Sequence, residues 1–174
     1  MHMAGHMAEL RFSFEGNTKP TLDAVQGHLG LSDDALRKMV CSSPIIIGLS
    51  FEDNIKPKLD HLQSELGLTL DALRELVLKY PLVLGASLDA SLRPNIVLWR
   101  EWLAEEGLQL AEVVAKSGPR ILTASFEKRT QPRSERAKAL GVKASAMVTA
   151  AGLADAAFDK RLARVAARVM PDEL

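Results

Sequence analysis

The sequence of 174 residues predicts an all-α fold, a right-handed α-solenoid of about four helix-turn-helix repeats of about 37 residues each. The first observation is a recurring stretch. SPIIIGLSFEDNIKP at 43–57 returns as YPLVLGASLDASLRP at 80–94 and as GPRILTASFEKRTQP at 118–132, and a shortened copy, SFEGNTKP, stands at 13–20. The matched prolines are 37, 37 and 38 residues apart: Pro20, Pro57, Pro94 and Pro132. A fixed period of roughly 20–50 residues is the signature of a repeat array.

The second observation is the spacing of the apolar residues around each proline. In two successive copies they recur at intervals of 4, 3 and 4 residues: Ile55, Leu59, Leu62 and Leu66, then Leu92, Ile96, Trp99 and Leu103. This spacing puts them on one face of a helix. The composition agrees, because aromatic residues make up only 5% of the chain while Leu, Ala and Val predominate. One helical unit cannot cover its own apolar face, so neighbouring units must stack.

Each repeat is predicted to contain two helices. The proline-bearing helix at 55–66 ends at Gly67, and Thr69 begins a second helix at 70–80. The corresponding second helix one copy earlier covers 33–42 and is expected to bury Leu36, Met39 and Val40. Residues of N-capping type stand three positions before each proline and are expected to cap the first helices: Asn17, Asn54, Ser91 and Thr130.

A short apolar connector links one repeat to the next. The second helices stop before Pro44 and Pro81, since a residue that precedes proline is disfavoured in the α region. The apolar runs that follow, such as Ile45-Ile46-Ile47, contain β-branched residues that also suit a strand. They are short and the next helix begins soon after them, which favours a tight turn or a 3₁₀ segment.

The repeats are expected to form a single domain over 10–174, preceded by a leader or cloning scar at 1–9. From Ala144 onward the repeat motif fades, which predicts a degenerate last repeat that ends in a helix at about 155–170. The single Cys41 excludes an intrachain disulfide and favours a reducing compartment. No apolar run approaches the roughly 18 residues of a transmembrane helix.

Positive charge is concentrated in the last third of the chain. Although the formal net charge is zero, residues 116–170 contain 12 Lys/Arg against 4 Asp/Glu, a balance of +8. Such a local excess is typical of a surface that binds nucleic acid. The alternative interpretation is a solvated face with no partner. The candidate nucleic-acid-binding residues are Lys116, Arg120, Lys128, Arg129, Arg133, Arg136, Lys138, Lys160, Arg161, Arg164 and Arg168.

The predicted last helix carries its cations in a regular row. Lys160, Arg164 and Arg168 recur at every fourth position, so they form a stripe with about 6 Å between successive residues. This interval approaches the spacing of phosphates along a nucleic-acid strand. Phosphate contacts contribute affinity without sequence readout. The scarcity of aromatic residues favours a duplex over a single strand, because single strands are bound by base stacking.

The sequence predicts no catalytic or metal site. His28 and His61 occupy different repeat positions and lack a ligand partner at metal-binding spacing. Cys41, near the end of a second helix, is expected to be a small buried thiol. The carboxylates of Asp33 and Asp71 fall in first helical turns, where they complement the helix dipole. We therefore expect a protein that is not an enzyme and needs no cofactor or metal.

The repeat motif P-x-[IV]-[IL]-x-x-S-x-[ED]-x-x-x-x-P, found at 44–57, 81–94 and 119–132, resembles the repeat of the mitochondrial transcription termination factor (mTERF) family. The resemblance covers residues 13–132 in nearly four copies. It implies an organellar protein, mitochondrial or chloroplast, with any transit peptide outside this chain. It also implies binding of double-stranded DNA in transcription termination or in another step of organellar gene expression.

Two alternatives stay open at this point. Some members of the family act on RNA, in splicing or in ribosome assembly. α-Solenoids are also common protein-interaction scaffolds, and the first 115 residues, with 10 Lys/Arg against 16 Asp/Glu, suit a protein-facing surface. A basic face in the structure favours the first class of function, and a large exposed apolar patch favours the second.

Overall fold

The computed structural model describes residues 16 and 18–169, and within this part of the chain the fold is all-α with no strand. Ten α-helices follow one another: α1 (Lys19–Leu29), α2 (Asp33–Ser42), α3 (Lys56–Leu66), α4 (Leu70–Lys79), α5 (Arg93–Ala104), α6 (Leu110–Ser117), α7 (Arg120–Thr123), α8 (Gln131–Ala139), α9 (Ala144–Val148) and α10 (Asp155–Val169). None of the helices in this part is long and apolar enough to cross a membrane.

The predicted order of elements within a repeat is confirmed. Gly30 and Gly67 end α1 and α3 with φ of 60°, a left-handed conformation that favours glycine. The hydroxyl groups of Ser32 and Thr69 then accept hydrogen bonds from the Ala35 and Ala72 amides at the start of the second helices. The connectors Pro44–Gly48 and Pro81–Gly85 are 3₁₀ segments, and the third connector contains the single helical turn α7.

The prediction that Asn54, Ser91 and Thr130 cap the first helices is wrong. In two copies the caps are the serines of the repeat motif, since the Ser50 and Ser87 hydroxyl groups accept hydrogen bonds from the Asp53 and Ala90 amides. Ser125 holds the same position in the third copy without such a bond. The helices therefore begin several residues before the proline. Asn17 lies outside the described residues.

A π-helical turn opens each of these helices ahead of its proline. The turns are Phe51–Ile55, Leu88–Leu92 and Phe126–Thr130, and the proline follows two residues after each. A proline ring inside an α-helix clashes with the carbonyl four residues earlier and removes one hydrogen bond. A wider turn relieves the clash, which explains why the same irregularity recurs in these three copies.

The helices group into two compact units, Met1–Gly85 and Ala86–Leu174. The core of the first contains Leu29, Ile46, Leu59, Leu62 and Leu73, all fully buried. The core of the second contains Ile96, Leu103, Ile121 and Leu122, together with the stacked rings of Trp99 and Trp102. The single domain at 10–174 stays a prediction, and the leader at 1–9 lies outside the described residues.

The apolar faces predicted for the proline-bearing helices are confirmed, because all eight of their residues are buried. The second helix α2 is less deeply packed than expected. Met39 is buried there, but Leu36 and Val40 are only half-buried, and Cys41, which was expected to be buried, is exposed. In α10, Phe158 and Leu162 are buried and Val169 is 46% exposed.

The residue directly after each proline donates a hydrogen bond to the connector that follows its repeat. This feature was not predicted. These residues are buried and polar: Thr21, Lys58, Asn95 and Arg133. Thr21 donates a hydrogen bond to the carbonyl of Leu49 at 3.2 Å, and the Lys58 ammonium donates to the carbonyl of Leu84 at 2.6 Å. The connectors expose carbonyls that no helical ladder satisfies, so a buried donor at this position stabilises the stacking of repeats.

In the third and fourth copies the buried side chain after the proline, Asn95 or Arg133, donates to two carbonyls of the connector. The Asn95 amide donates to the carbonyls of Leu122 at 3.0 Å and Ala124 at 2.8 Å. Arg133 donates to the carbonyls of Ala151 at 3.2 Å and Leu153 at 2.9 Å. Four chemically different side chains therefore fill one structural role. A sequence comparison of the copies hides that role, because it finds a variable position there.

Burial lowers the pKa of the Lys58 ammonium from its ordinary value of 10.5. Between the folded and unfolded pKa values, the unfolded chain holds a proton that the folded chain has released, so the free energy of unfolding rises with pH in that window. We expect the rise of the free energy of unfolding with pH to be absent in Lys58→Met. Denaturant melts of both proteins at a series of pH values up to 10.5 measure it. A constant difference in stability across that range contradicts the prediction.

Candidate nucleic-acid interface

All eleven predicted cations lie in the second compact unit. Lys116 stands in the last turn of α6 and Arg120 opens α7. Lys128 and Arg129 lie in the π turn before α8, which itself carries Arg133, Arg136 and Lys138. The four remaining cations are on α10: Lys160, Arg161, Arg164 and Arg168.

The stripe on α10, defined as Lys160, Arg164 and Arg168, faces solvent. All three side chains are exposed, whereas Phe158 and Leu162 on another face of the helix are buried. Packing of this apolar face against the unit orients the stripe outward. Within the described part of the chain none of the three forms a salt bridge, so their charges are available to an anion.

A second exposed set consists of Lys116, Arg120, Lys128 and Arg129. Arg120 extends over Gly152, where an added Cβ atom would lie 3.5 Å from the Arg120 Cδ. No salt bridge involves these four cations among residues 18–169. Lys143, exposed at the start of α9, belongs to the same unit and was missed as a candidate. Lys143 is counted in the positive charge balance of residues 116–170, but it does not belong to a regular row of cations on a helix.

Arg136 and Lys138 are exposed but already paired. Arg136 lies 2.8 Å from an Asp159 carboxylate oxygen, and Lys138 lies 3.8 Å from Glu105. The Lys138 ammonium also lies 5.4 Å from the centre of the Trp102 ring. Exposed pairs of this kind contribute only about 0–1 kcal/mol, so a phosphate can compete for either cation.

Arg133 does not lie on an exposed basic surface, which corrects the prediction for this residue. It is only 7% exposed, and its guanidinium lies 2.5 Å from the Asp155 carboxylate and 4.4 Å from the centre of the Phe158 ring. The two carbonyl contacts described above complete its surroundings. A side chain so engaged is a structural element and not a phosphate ligand.

Arg161 is intermediate in exposure between the exposed cations and the buried Arg133. It is half-buried, and its terminal nitrogen lies 3.5 Å from the Thr149 hydroxyl oxygen, at the limit of a hydrogen bond. Its buried Nε atom has no hydrogen-bond partner in the described part of the chain. Arg161 therefore stands beside the stripe without sharing its full exposure.

Cations of α8 and of the π turn before it favour the charged form of the Asp155 carboxylate. Its pKa is lowered mainly by the hydrogen bond from Arg133, next by the charge of Arg133, and further by the charges of Arg129 and Arg136. Asp155 and Asp159 therefore neutralise part of the positive charge around the first turns of α10. The positive potential is left to the stripe and to the second exposed set.

The arrangement suits binding of a polyanion through several phosphate contacts. The described residues contain no group of three or more His, Cys, Asp or Glu side chains that could hold a metal ion. A small cavity in this unit is lined by apolar and polar side chains: Trp99, Trp102, Thr130, Arg133, Ser134, Met147, Ala151 and Phe158.

Comparison with known proteins gives one family match. A search of curated protein sequences finds no match. The model of the mTERF family matches residues 8–159, which is most of the chain. The match includes every complete copy of the repeat motif and extends beyond them into the first turn of α10. On this evidence the chain belongs to the mTERF family.

Proposed function

We propose that this protein is a non-catalytic nucleic-acid-binding protein of organellar gene expression. It contacts the phosphates of double-stranded DNA through the stripe on α10 and the second exposed set, and it acts in transcription termination or a related regulatory step. The family supports nucleic-acid binding and an organellar location in general terms. Mitochondria and chloroplasts are both consistent with it.

The exposed and unpaired state of the stripe carries this proposal. A solvated helix normally intersperses both signs of charge on its surface, which lowers its net potential. On α10 the two acids stand in the first two turns beside α8, and from Lys160 onward the described part of the helix has only positive charges. Three cations at intervals of about 6 Å can meet successive phosphates of one strand.

The test is fluorescence anisotropy with a random-sequence duplex between 50 and 300 mM salt, with Lys160, Arg164 and Arg168 changed to Ala. Each phosphate contact adds about 0.9 to the slope of log K against log salt concentration. The triple variant is therefore expected to reduce this slope by about 2–3. An unchanged slope would place the phosphates elsewhere on the protein.

The matched control removes three cations that are already paired. Arg37, Lys56 and Arg93 form salt bridges with Asp34, Asp60 and Asp89 within their own helical segments. Changing these three to Ala alters the net charge as much as the stripe variant does. We expect a slope close to that of the parent protein, because the effect depends on local contacts more than on total charge.

RNA is the first alternative ligand. A single-stranded RNA of matched sequence in the same assay distinguishes a role in transcription from one in splicing or ribosome assembly. Duplex binding that exceeds RNA binding at every salt concentration supports the proposal. Comparable affinity for RNA moves the function toward RNA processing.

A protein-interaction scaffold is the second candidate, and one observation favours it. The connectors of the first unit expose large apolar side chains: Ile45 at 52%, Ile47 at 38% and Leu82 at 69%. The connectors of Ile45 and Leu82 are in contact, since a Cβ atom at Gly85 would lie 3.4 Å from Ile45. Absence of binding to duplex and RNA at 50 mM salt would make this second function the leading one.

A further inference from the structure

We propose that Arg133 is a positioning residue that holds α10 in place and so orients the stripe of Lys160, Arg164 and Arg168. This inference rests on the function proposed above. It assigns to Arg133 a role in binding that does not involve contact with the nucleic acid.

The contacts of Arg133 converge on the segment that leads into α10. Its guanidinium donates to the carbonyls of Ala151 and Leu153, and these two residues lie directly before the helix. It donates as well to the carboxylate of Asp155, the first residue of α10. Its Cζ atom also lies 4.4 Å from the centre of the Phe158 ring in the first turn. One buried side chain therefore fixes the approach to the helix, its first residue and its first buried aromatic ring.

The corresponding residues in the other repeats do less. Thr21 and Asn95 reach only the carbonyls of the following connector, and Lys58 adds an asparagine of its own helix. Arg133 alone among the four contacts the helix beyond the connector. Arginine suits this task because its planar fork carries five N–H donors, whereas an ammonium has three and an amide has two.

The attachment of α10 depends strongly on side chains. Its backbone makes few close approaches to the neighbouring helices, in contrast to the backbone of α5. Its side-chain contacts include the burial of Phe158 and Leu162, the pair of Arg136 with Asp159, and the cluster around Arg133. Arg161 adds a marginal contact with Thr149. An element held in this way opens more easily than the core of its unit, so the loss of one buried charged hydrogen-bond donor has a local effect.

The test uses Arg133→Lys, which keeps the charge and introduces the side chain found at the equivalent position 58. Amide hydrogen exchange is measured over 155–169 and, for comparison, over α5. We expect exchange in α10 to become faster by about tenfold or more, since hydrogen bonds to charged groups are strong enough for that factor. Exchange in α5 is expected to change little. Unchanged exchange in α10 overturns the proposal without reference to any ligand.

The second readout is the salt slope of duplex binding. Arg133→Lys is expected to reduce the slope by about 2–3, as the stripe variant does, and the two changes combined are expected to reduce it no further. Equal and non-additive losses distinguish positioning from a direct phosphate contact. If the stripe variant lowers the slope and Arg133→Lys does not, Arg133 does not position the stripe. If the stripe variant itself has no effect, the phosphate contact is wrong and the positioning proposal fails with it.

Two controls separate local release from general destabilisation. Leu122→Ala removes a fully buried side chain from α7 of the same unit, and we expect it to lower the melting temperature while leaving the salt slope unchanged. Asp155→Asn removes only the charge of an exposed partner, so it tests the ion pair even if Arg133→Lys does not fold. If Arg133→Lys does not fold, a rise in α10 exchange for Asp155→Asn supports the proposal, and unchanged exchange in Asp155→Asn overturns it.

Discussion

Leu62→Ala is expected to lower the free energy of unfolding by about 2–5 kcal/mol. Leu62 lies in α3 and is fully buried among the apolar residues of the first unit. The substitution removes buried methyl groups and leaves a cavity that a packed helical stack fills only partially. Urea denaturation followed by circular dichroism measures the change. A neutral result would mean that the face assigned to α3 is not part of the core.

Two controls belong with this measurement. Leu70→Ala makes the same chemical change at a residue that is 41% exposed, so we expect a loss below about 0.5 kcal/mol. Pro57→Ala is also expected to be mild, because the π turn that precedes Pro57 already accommodates the missing amide hydrogen. A large loss in Pro57→Ala would show that the proline itself is needed to hold the helix start.

Asn95→Asp is expected to have the second large effect on stability. Asn95 is fully buried, and its amide nitrogen donates to the carbonyls of Leu122 and Ala124. A carboxylate at this place would donate to neither carbonyl and would bury a charge beside two acceptor oxygens. Each carbonyl left without a donor costs about 1–3 kcal/mol, so we expect a loss of several kcal/mol at neutral pH.

The pH dependence and a milder variant identify the cause. A protonated aspartic acid can donate one hydrogen bond, so the loss measured against the parent protein is expected to shrink as the pH falls. Thr21→Val removes the donor at the equivalent position of another repeat, where it serves one carbonyl. Its loss of stability is expected to be about half that of Asn95→Asp or less. If Thr21→Val lowers stability as much as Asn95→Asp, the hydrogen bonds to the connector carbonyls are not the reason for the loss.

Local patterns in the chain predict much of the fold, because helix spacing, glycine C-caps and proline breaks act over a few residues. The second helix α2 was predicted at the bounds that the structure shows, and the apolar faces of α3 and α5 were predicted residue by residue. The capping residue was misassigned. Asparagine and serine are equally good N-cap residues in principle. Whether Asn54 or Ser50 caps the helix depends on the π turn that precedes the proline.

The candidate site was only partly predictable. A row such as Lys160, Arg164 and Arg168 identifies one face of a helix, and whether that face is exposed follows from the apolar residues on the same helix. The pairing of Arg136 and the burial of Arg133 cannot be read in this way, because their partners Asp159 and Asp155 belong to another helix. Two residues of the same type in α8 thus have opposite roles.

The sequence alone therefore determined the repeat, its helices, their apolar faces and the family, all of which depend on patterns repeated along the chain. Tertiary structure decided which polar residues bind the chain to itself and which remain available to a partner. The physical reason is the position after each proline, where Thr21, Lys58, Asn95 and Arg133 share no chemistry except a donor. Their common role arises from unsatisfied connector carbonyls, and those carbonyls meet the donors only when the repeats stack.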